Sequence, residues 1–332
     1  MRLPVEFKLR ELPHFYEHLR DSTWSLQNVG EGRERELLQR FPHVARVFAG
    51  LTKCCQDVIV DICSRMANGM CEFLTARVVT RADYDLYCHY VAGLVGHGLT
   101  RLFVACGFED TRLLEDLSIP NHMGLFLQKT NIIRDFYEDI CEDPPRIFWP
   151  REIWGQYTDD LNNFKGEAQL QLHEEKAREC LNAMVADALV HVPHVITYMA
   201  SLQEPSIFAF CAIPQVMAMA TLAAVFNNAE VFYSKVKISR GATCSIVVNA
   251  TTLQAALRMM QTYIQQLADR VGPQDVCYDE ITERVREAVR AIEVHLPPED
   301  DGVTRSLLTR YPALGGRLLY SLVDNIVGYL GK

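Results

Sequence analysis

The sequence predicts an all-α protein, on three observations: apolar residues recur every three or four positions over long stretches, period-two strand patterns are scarce, and the breaks between periodic stretches are short. Val44, Val47, Phe48, Leu51, Cys55, Val58, Ile59, Ile62, Met66, Met70 and Phe73 keep this spacing over about eight turns and predict one long amphipathic helix. The next apolar stretch, "YCHYVAGLVGHGLTRLF" (87–103), is crowded with Ala92, Gly93, Gly96 and Gly98. A helical glycine costs about 1 kcal/mol relative to alanine, so either close helix packing or room for a bulky ligand must compensate; residue type leaves both open. Ala177, Leu181, Met184, Val185, Ala188, Leu189 and Val192 predict a helix ending before Pro193, and "PQVMAMATLAAVF" predicts one opened by Pro214 in its first turn. Turn signals fall at 28–32, 142–146, 226–230 and 295–302, none long enough for an interdomain linker. With no internal repeat, about eight or more packed helices follow.

Composition narrows the function classes. The 332 residues are 49% hydrophobic, enough for a substantial core in one large domain or two moderate ones. A net charge of −9 argues against a general nucleic-acid binder but leaves room for a local Lys/Arg pocket around phosphate groups. Eleven cysteines without CxxC or Cys/His zinc spacing suggest reduced thiols in a cytosol-facing protein. Residues 1–20 lack the apolar run of a signal peptide. No apolar stretch reads as a membrane span; the nearest is "GRLLYSLVDNIVGYLGK" (316–332), interrupted by Asp324 and Asn325.

The strongest chemical signal is "TNIIRDFYEDI" (130–140). At helical spacing Gln128, Asn131, Asp135 and Asp139 form one polar row, with Glu138 beside it, on a helix whose other positions are Leu125, Phe126, Leu127, Ile132, Ile133, Phe136 and Ile140. A solvated acidic face is the ordinary explanation of such carboxylates. Apolar surroundings favour a row that lines a cavity, where hard oxygen ligands suit Mg²⁺ bridging carboxylates to phosphates. Arg134 is a candidate ion-pair partner or phosphate ligand, and Tyr87 and Tyr90 flank the small-residue helix.

Four motifs in order, "YCHYVAGLVG", "MGLFLQKTNIIRDFYEDI", "FWPREIW" and "FCAIPQVMAMATLAAVFNN", resemble the squalene synthases, the farnesyl-diphosphate farnesyltransferases among the head-to-head prenyl synthases. The resemblance runs over roughly residues 20–260. Phytoene synthases share the acidic helix and the tyrosine-bearing small-residue helix, whereas "FLQKTNIIRD", "FWP" and "FCAIPQ" look like the squalene branch.

The resemblance implies an all-α isoprenoid synthase bundle in which two aspartate-rich helices face each other across a hydrophobic cavity. Residues 1–300 would form that single domain, and 301–332 an amphipathic or weakly membrane-anchoring segment. Asp135, Glu138 and Asp139 would bind Mg²⁺. Gln128, Asn131 and Arg134 would stand at diphosphate and NADPH contacts, and Tyr87 would transfer a proton in the first half-reaction. Phe210, Cys211 and Pro214 would wall the apolar pocket, and Lys237 and Arg240 would meet NADPH phosphates, Ser239 replacing what is commonly a basic residue. The implied reaction, in sterol biosynthesis, condenses two farnesyl diphosphates to presqualene diphosphate and reduces it with NADPH to squalene. A monomer on the cytosolic face of the endoplasmic reticulum, meeting the membrane surface through its C-terminus and binding no nucleic acid, is expected.

The first aspartate-rich motif of that family is expected upstream of the region resembling residues 1–20, since neither "FEDTRLLED" (108–116) nor "TDDL" (158–161) sits in a comparable apolar helix. The chain is therefore expected to be N-terminally truncated and inactive alone. The alternatives are a phytoene- or dehydrosqualene-type synthase and a non-catalytic lipid-binding relative.

Overall fold

A computed structural model describes residues 4–296, and all regular structure among them is helical. The expected C-terminal segment, 301–332, lies outside the described residues. The chain begins with α1 (Val5–Glu11) and a 3₁₀ stretch (Leu12–Arg20), followed by α2 (Gly32–Gln39), α3 (Phe41–Ala49) and α4 (Lys53–Glu72). The single long helix expected over 44–73 is thus two. Gly50 ends α3 and Thr52 turns extended before α4, so the apolar stripe continues across a corner.

The small-residue stretch forms α5 (Arg81–Cys88), a π-turn (His89–Gly93) and α6 (Leu94–Ala105). Thr80 and Asp83 close a capping box at the start of α5. After α6 come α7 (Ser118–Arg134), α8 (Phe136–Ile140) and α9 (Arg151–Trp154). Tight packing accounts for the glycines: a Cβ on Gly93 would strike the Asn121 side chain, one on Gly96 the Pro120 carbonyl, and one on Gly98 the Ile62 side chain at 2.9 Å. Two of these partners lie on α7 and one on α4. Of the two readings left open by residue type, close helix approach is the one that holds.

The second half contains α10 (Glu167–Leu189), α11 (Val192–Ser201), α12 (Pro205–Val225), α13 (Arg240–Asn249), α14 (Leu253–Ala268) and α15 (Tyr278–Glu293). The proline that opens α12 is Pro205, behind a Glu204 cap, and Pro214 lies inside the helix. Pro214 is tolerated because it and Phe210, whose carbonyl loses its i+4 partner, are both exposed to water.

The core is built around α7, α10 and α12, with α11, α14 and α15 packed on them. From Cys180 to Leu189 every residue of α10 is buried, as expected of a helix apolar on all sides. Two stretches, Glu167–Ser201 and Pro205–Val225, are long and apolar enough to cross a membrane, which the sequence reading did not anticipate. In the fold their apolar windows are 78% and 67% buried against other helices.

One charged residue lies at the centre of this apolar packing. Lys129, on α7, is 1% exposed, donates to Asp187 Oδ2 of α10 at 2.7 Å and stands 2.6 Å from Asp85 Oδ1 of α5. Its ammonium also lies 5.1 Å from the centre of the Tyr84 ring. Burial would push the Lys129 pKa down, but the two carboxylates outweigh it and raise it, so the group stays charged. Arg81 donates to the other oxygen of Asp187 at 2.6 Å. Removing Lys129 would leave Asp187 to Arg81 alone, and removing Asp187 would leave Lys129 to Asp85 alone, so either loss under-compensates a buried charge.

Candidate active site

The acidic row survives a break in its helix. Asp135 has a non-helical backbone (φ −91°, ψ 11°) between α7 and α8. It still donates its N–H to Asn131 O at 2.9 Å and accepts from Asp139 N–H at 3.0 Å, so the row keeps one face. Along it Gln128, Asn131, Asp135, Glu138 and Asp139 are reachable by solvent, whereas Ile132, Ile133, Phe136 and Ile140 are buried.

Each carboxylate of the row has a cationic partner. Arg134 forks onto Asp135 with bonds of 2.8 and 2.7 Å. Lys235 stands 3.2 Å from Asp135 Oδ1 and donates to Glu138 Oε2 at 2.6 Å. Arg146 reaches Asp139 Oδ1 at 2.7 Å. Burial pushes the Asp135 carboxyl up, but the Arg134 fork and Lys235 hold it below the usual range. Asp139, whose side chain is 14% exposed, ends above its ordinary value through burial, despite Arg146, with repulsion from Asp135 and Glu138 adding to the rise.

Tyr87, on α5, belongs to the same neighbourhood. Its ring stacks on Phe148 (centroids 4.8 Å apart, 19° between planes) and meets Phe73 edge-on at 5.3 Å. The Arg146 guanidinium lies 6.0 Å from the Phe148 ring centre, so Tyr87, Phe148, Arg146 and Asp139 form a continuous sequence of neighbours. Asp139 and Arg146, with Ile132, Phe136, Phe148 and Trp149, line a small pocket at this point. Burial, with smaller contributions from Cys88 and Asp139, pushes the Tyr87 hydroxyl up to about 12, so it is neutral at pH 7.

This constellation can be set beside known proteins. Residues 4–242 match the squalene/phytoene synthase family. The squalene synthase of Bos taurus is 41% identical over 306 residues, which are 92% of this chain and 71% of that protein. Squalene synthase LSS of Botryococcus braunii is 46% identical over 273 residues, 82% of this chain and 57% of that protein. The chain thus spans between about three fifths and seven tenths of the length of these curated relatives. A solved complex of TcSQS with the ligand E5700 is 67% identical and superposes with a TM-score of 0.87, covering 89% of this chain and 85% of that one. This chain belongs to the squalene/phytoene synthase family.

The other sequence-derived candidates of this family member stand apart from the acidic row. Phe210 is 59% exposed, with its ring edge-on to Phe103 at 6.5 Å; Cys211 is half-buried and Pro214 exposed. They lie along one side of α12, which packs on α7, and Gln215 next to them donates to Met123 O at 3.2 Å. Lys237 and Arg240 are exposed around the start of α13. Ser239 has a local task, capping α13 by accepting from Ala242 N–H at 3.1 Å. The acidic stretches at 108–116 and 158–161 also serve structure: Glu109 is buried and accepts from the backbone of Gln203 and Glu204, and Asp110 and Asp160 cap short turns.

Sequence reasoning missed Lys235 and Arg146. Lys235 had a signal, because Lys235-Val236-Lys237-Ile238 alternates: Val236 is buried and Ile238 packs on the core, placing both lysines on the other side. Arg146 follows a double-proline turn, where nothing local reveals that its backbone N–H returns to Asp139 O at 3.0 Å.

The opposed shifts of the two aspartates make a stability prediction. Asp135, with a depressed native pKa, stabilises the fold above its ordinary value of 3.8, a contribution lost as pH falls through the native value. Asp139, with a raised one, destabilises increasingly as pH rises from 3.8 through the native value. In metal-free protein at pH 7, Asp139→Asn should therefore raise the thermal midpoint and Asp135→Asn lower it. Both differences should shrink on acidification, as followed by circular dichroism. Equal destabilisation by both substitutions would contradict this charge assignment.

Proposed function

We propose that this protein is a squalene synthase. It joins two farnesyl diphosphates head to head into presqualene diphosphate and reduces that intermediate with NADPH to squalene. The observation that carries the proposal is the placement of the acidic row against Tyr87 through Phe148 and Arg146. The squalene synthases among its relatives support the choice of reaction.

The donor set fits Mg²⁺. Among the described residues no three His, Cys, Asp or Glu side chains converge into a metal site; Asp135 and Asp139, with Glu138 beside them, are the oxygen donors that the row offers. That suits an ion which keeps several waters and is shared between one or two carboxylates and substrate phosphates. When bound, Mg²⁺ neutralises the departing diphosphate, and NADPH supplies the hydride. Asp135 and Asp139 would hold the ion, and Lys237 and Arg240 would hold cofactor phosphates near the start of α13.

The chain's own residues do the rest. Lys235 and Arg146, which pair with the carboxylates of the row, would supply positive charge for diphosphate oxygens, and Arg134, Gln128 and Asn131 would complete the polar side. Tyr87, neutral at pH 7, passes its proton to a diphosphate oxygen and regains one from the reacting allylic carbon. Phe210, Cys211 and Pro214 border the apolar space that shields carbocations from water.

Calorimetric titration with Mg²⁺ and pyrophosphate together should show binding that weakens at least about tenfold, or 1.4 kcal/mol, in Asp139→Asn. Unchanged affinity would remove this row from the site. Product analysis separates the reactions: squalene should form only with NADPH, and a product unaffected by NADPH would favour a phytoene- or dehydrosqualene-type synthase.

We further propose that the protein works at the cytosolic face of the endoplasmic reticulum, held by the apolar residues of 314–330, since substrate and product are lipophilic. Deleting residues from Gly315 onward should move the protein into the soluble fraction on centrifugation. Unchanged partitioning would exclude this segment as the anchor.

A further inference from the structure

Helices α4 and α6 run antiparallel in one register, and their far ends bring two thiols together. Tyr90 meets Gly69, Ile62 meets Gly98, and Asp61 pairs with Arg101. Continuing outward, Cys55 Sγ lies 3.6 Å from Cys106 Sγ, although the two residues are 51 positions apart. Cys55 is buried in the first turn of α4, whereas Cys106 is exposed where α6 ends. All eleven cysteines are free.

We propose that Cys55 and Cys106 are a redox-active dithiol that reacts with a hydroperoxide and closes into an intrachain disulfide joining α4 to the end of α6. The Cys106 sulfur, which solvent reaches, attacks the distal oxygen of the hydroperoxide; the O–O bond breaks, an alcohol or water leaves, and Cys106 becomes a sulfenic acid. The Cys55 sulfur then attacks Cys106 Sγ, forming the S–S bond as the S–O bond breaks and a second water leaves. Two thiols lose two electrons and the peroxide bond gains them.

The geometry favours closure over further oxidation. The sulfurs must approach by about 1.5 Å to reach the disulfide length of about 2.05 Å. Cys106 lies just beyond the last turn of α6, as its C-cap. Cys54, exposed beside the pair, is the competitor: Thr52 Oγ1 lies 3.1 Å from its sulfur and holds its pKa below the ordinary thiol value. This inference is independent of the proposed reaction, because it concerns a different end of the molecule and its test does not read turnover.

The test treats the 332-residue chain with stoichiometric hydrogen peroxide and maps its peptides without reduction. The expected result is a Cys55–Cys106 cross-linked peptide, loss of two titratable thiols, and a thermal midpoint higher by roughly 5 °C, all reversed by dithiothreitol. Cys106→Ser, an exposed substitution, should fold normally and show neither cross-link nor shift, whereas Cys54→Ser should retain both. A Cys54–Cys106 link, or Cys106 converted to sulfinic acid without any link, would overturn the proposal.

Discussion

A buried ammonium sets the geometry on which the rest of this molecule depends. Lys129 leaves α7 on a buried face away from the acidic row and meets carboxylates from α5 and α10, so one charge ties three helices. Apolar packing alone is non-directional and would allow those helices to slide by a fraction of a turn. A charge with two partners allows far less, because any slip leaves an ion without compensation in a site that water does not reach. Tyr87 follows Asp85 on α5 by two positions and Asp135 follows Lys129 on α7 by six, so the same contact fixes the distance between the candidate proton donor and the candidate metal ligands. Gly93 and Gly96, on the π-turn and α6 that follow α5, permit close approach to the start of α7.

The site itself is charged in a balanced way. Three carboxylates crowd one face of α7 and α8, and Arg134, Lys235 and Arg146 offset them in the free protein. Asp139 is the least relieved of its burial, which keeps its carboxyl above the ordinary value despite Arg146. Under the proposed function, the carboxylates would take a cation and the basic side chains would meet phosphate oxygens.

Much of this was legible in the sequence, and the remainder was not for physical reasons. Helices show through periodicity, so the acidic row and its apolar backing could be read directly from positions 125–140. Periodicity is blind to corners, which is why Gly50 and Thr52 went unnoticed between α3 and α4. Pro214 satisfied the usual rule for a first-turn proline, but Pro205 occupies that position and water compensates for the interior one. Lys129 could have been suspected, as a lone lysine in "GLFLQKTNII" on the face away from the polar row; its partners, 44 and 58 residues distant in the chain, could not. Arg146 illustrates the general limit, since a residue delivered by a turn shows its role only once the turn is folded.

The most direct test of the Lys129 constraint is a double-mutant cycle in urea unfolding with Lys129→Met and Asp187→Asn. Each single substitution should lower the unfolding free energy by about 3 kcal/mol, because each removes one partner of a buried charge and leaves Asp187 to Arg81 alone or Lys129 to Asp85 alone. The double variant should be less destabilised than the sum of the two, with a coupling of about 1–3 kcal/mol. Additive effects, or a Lys129→Met protein within about 0.5 kcal/mol of the wild type, would show that apolar packing alone sets the helix geometry.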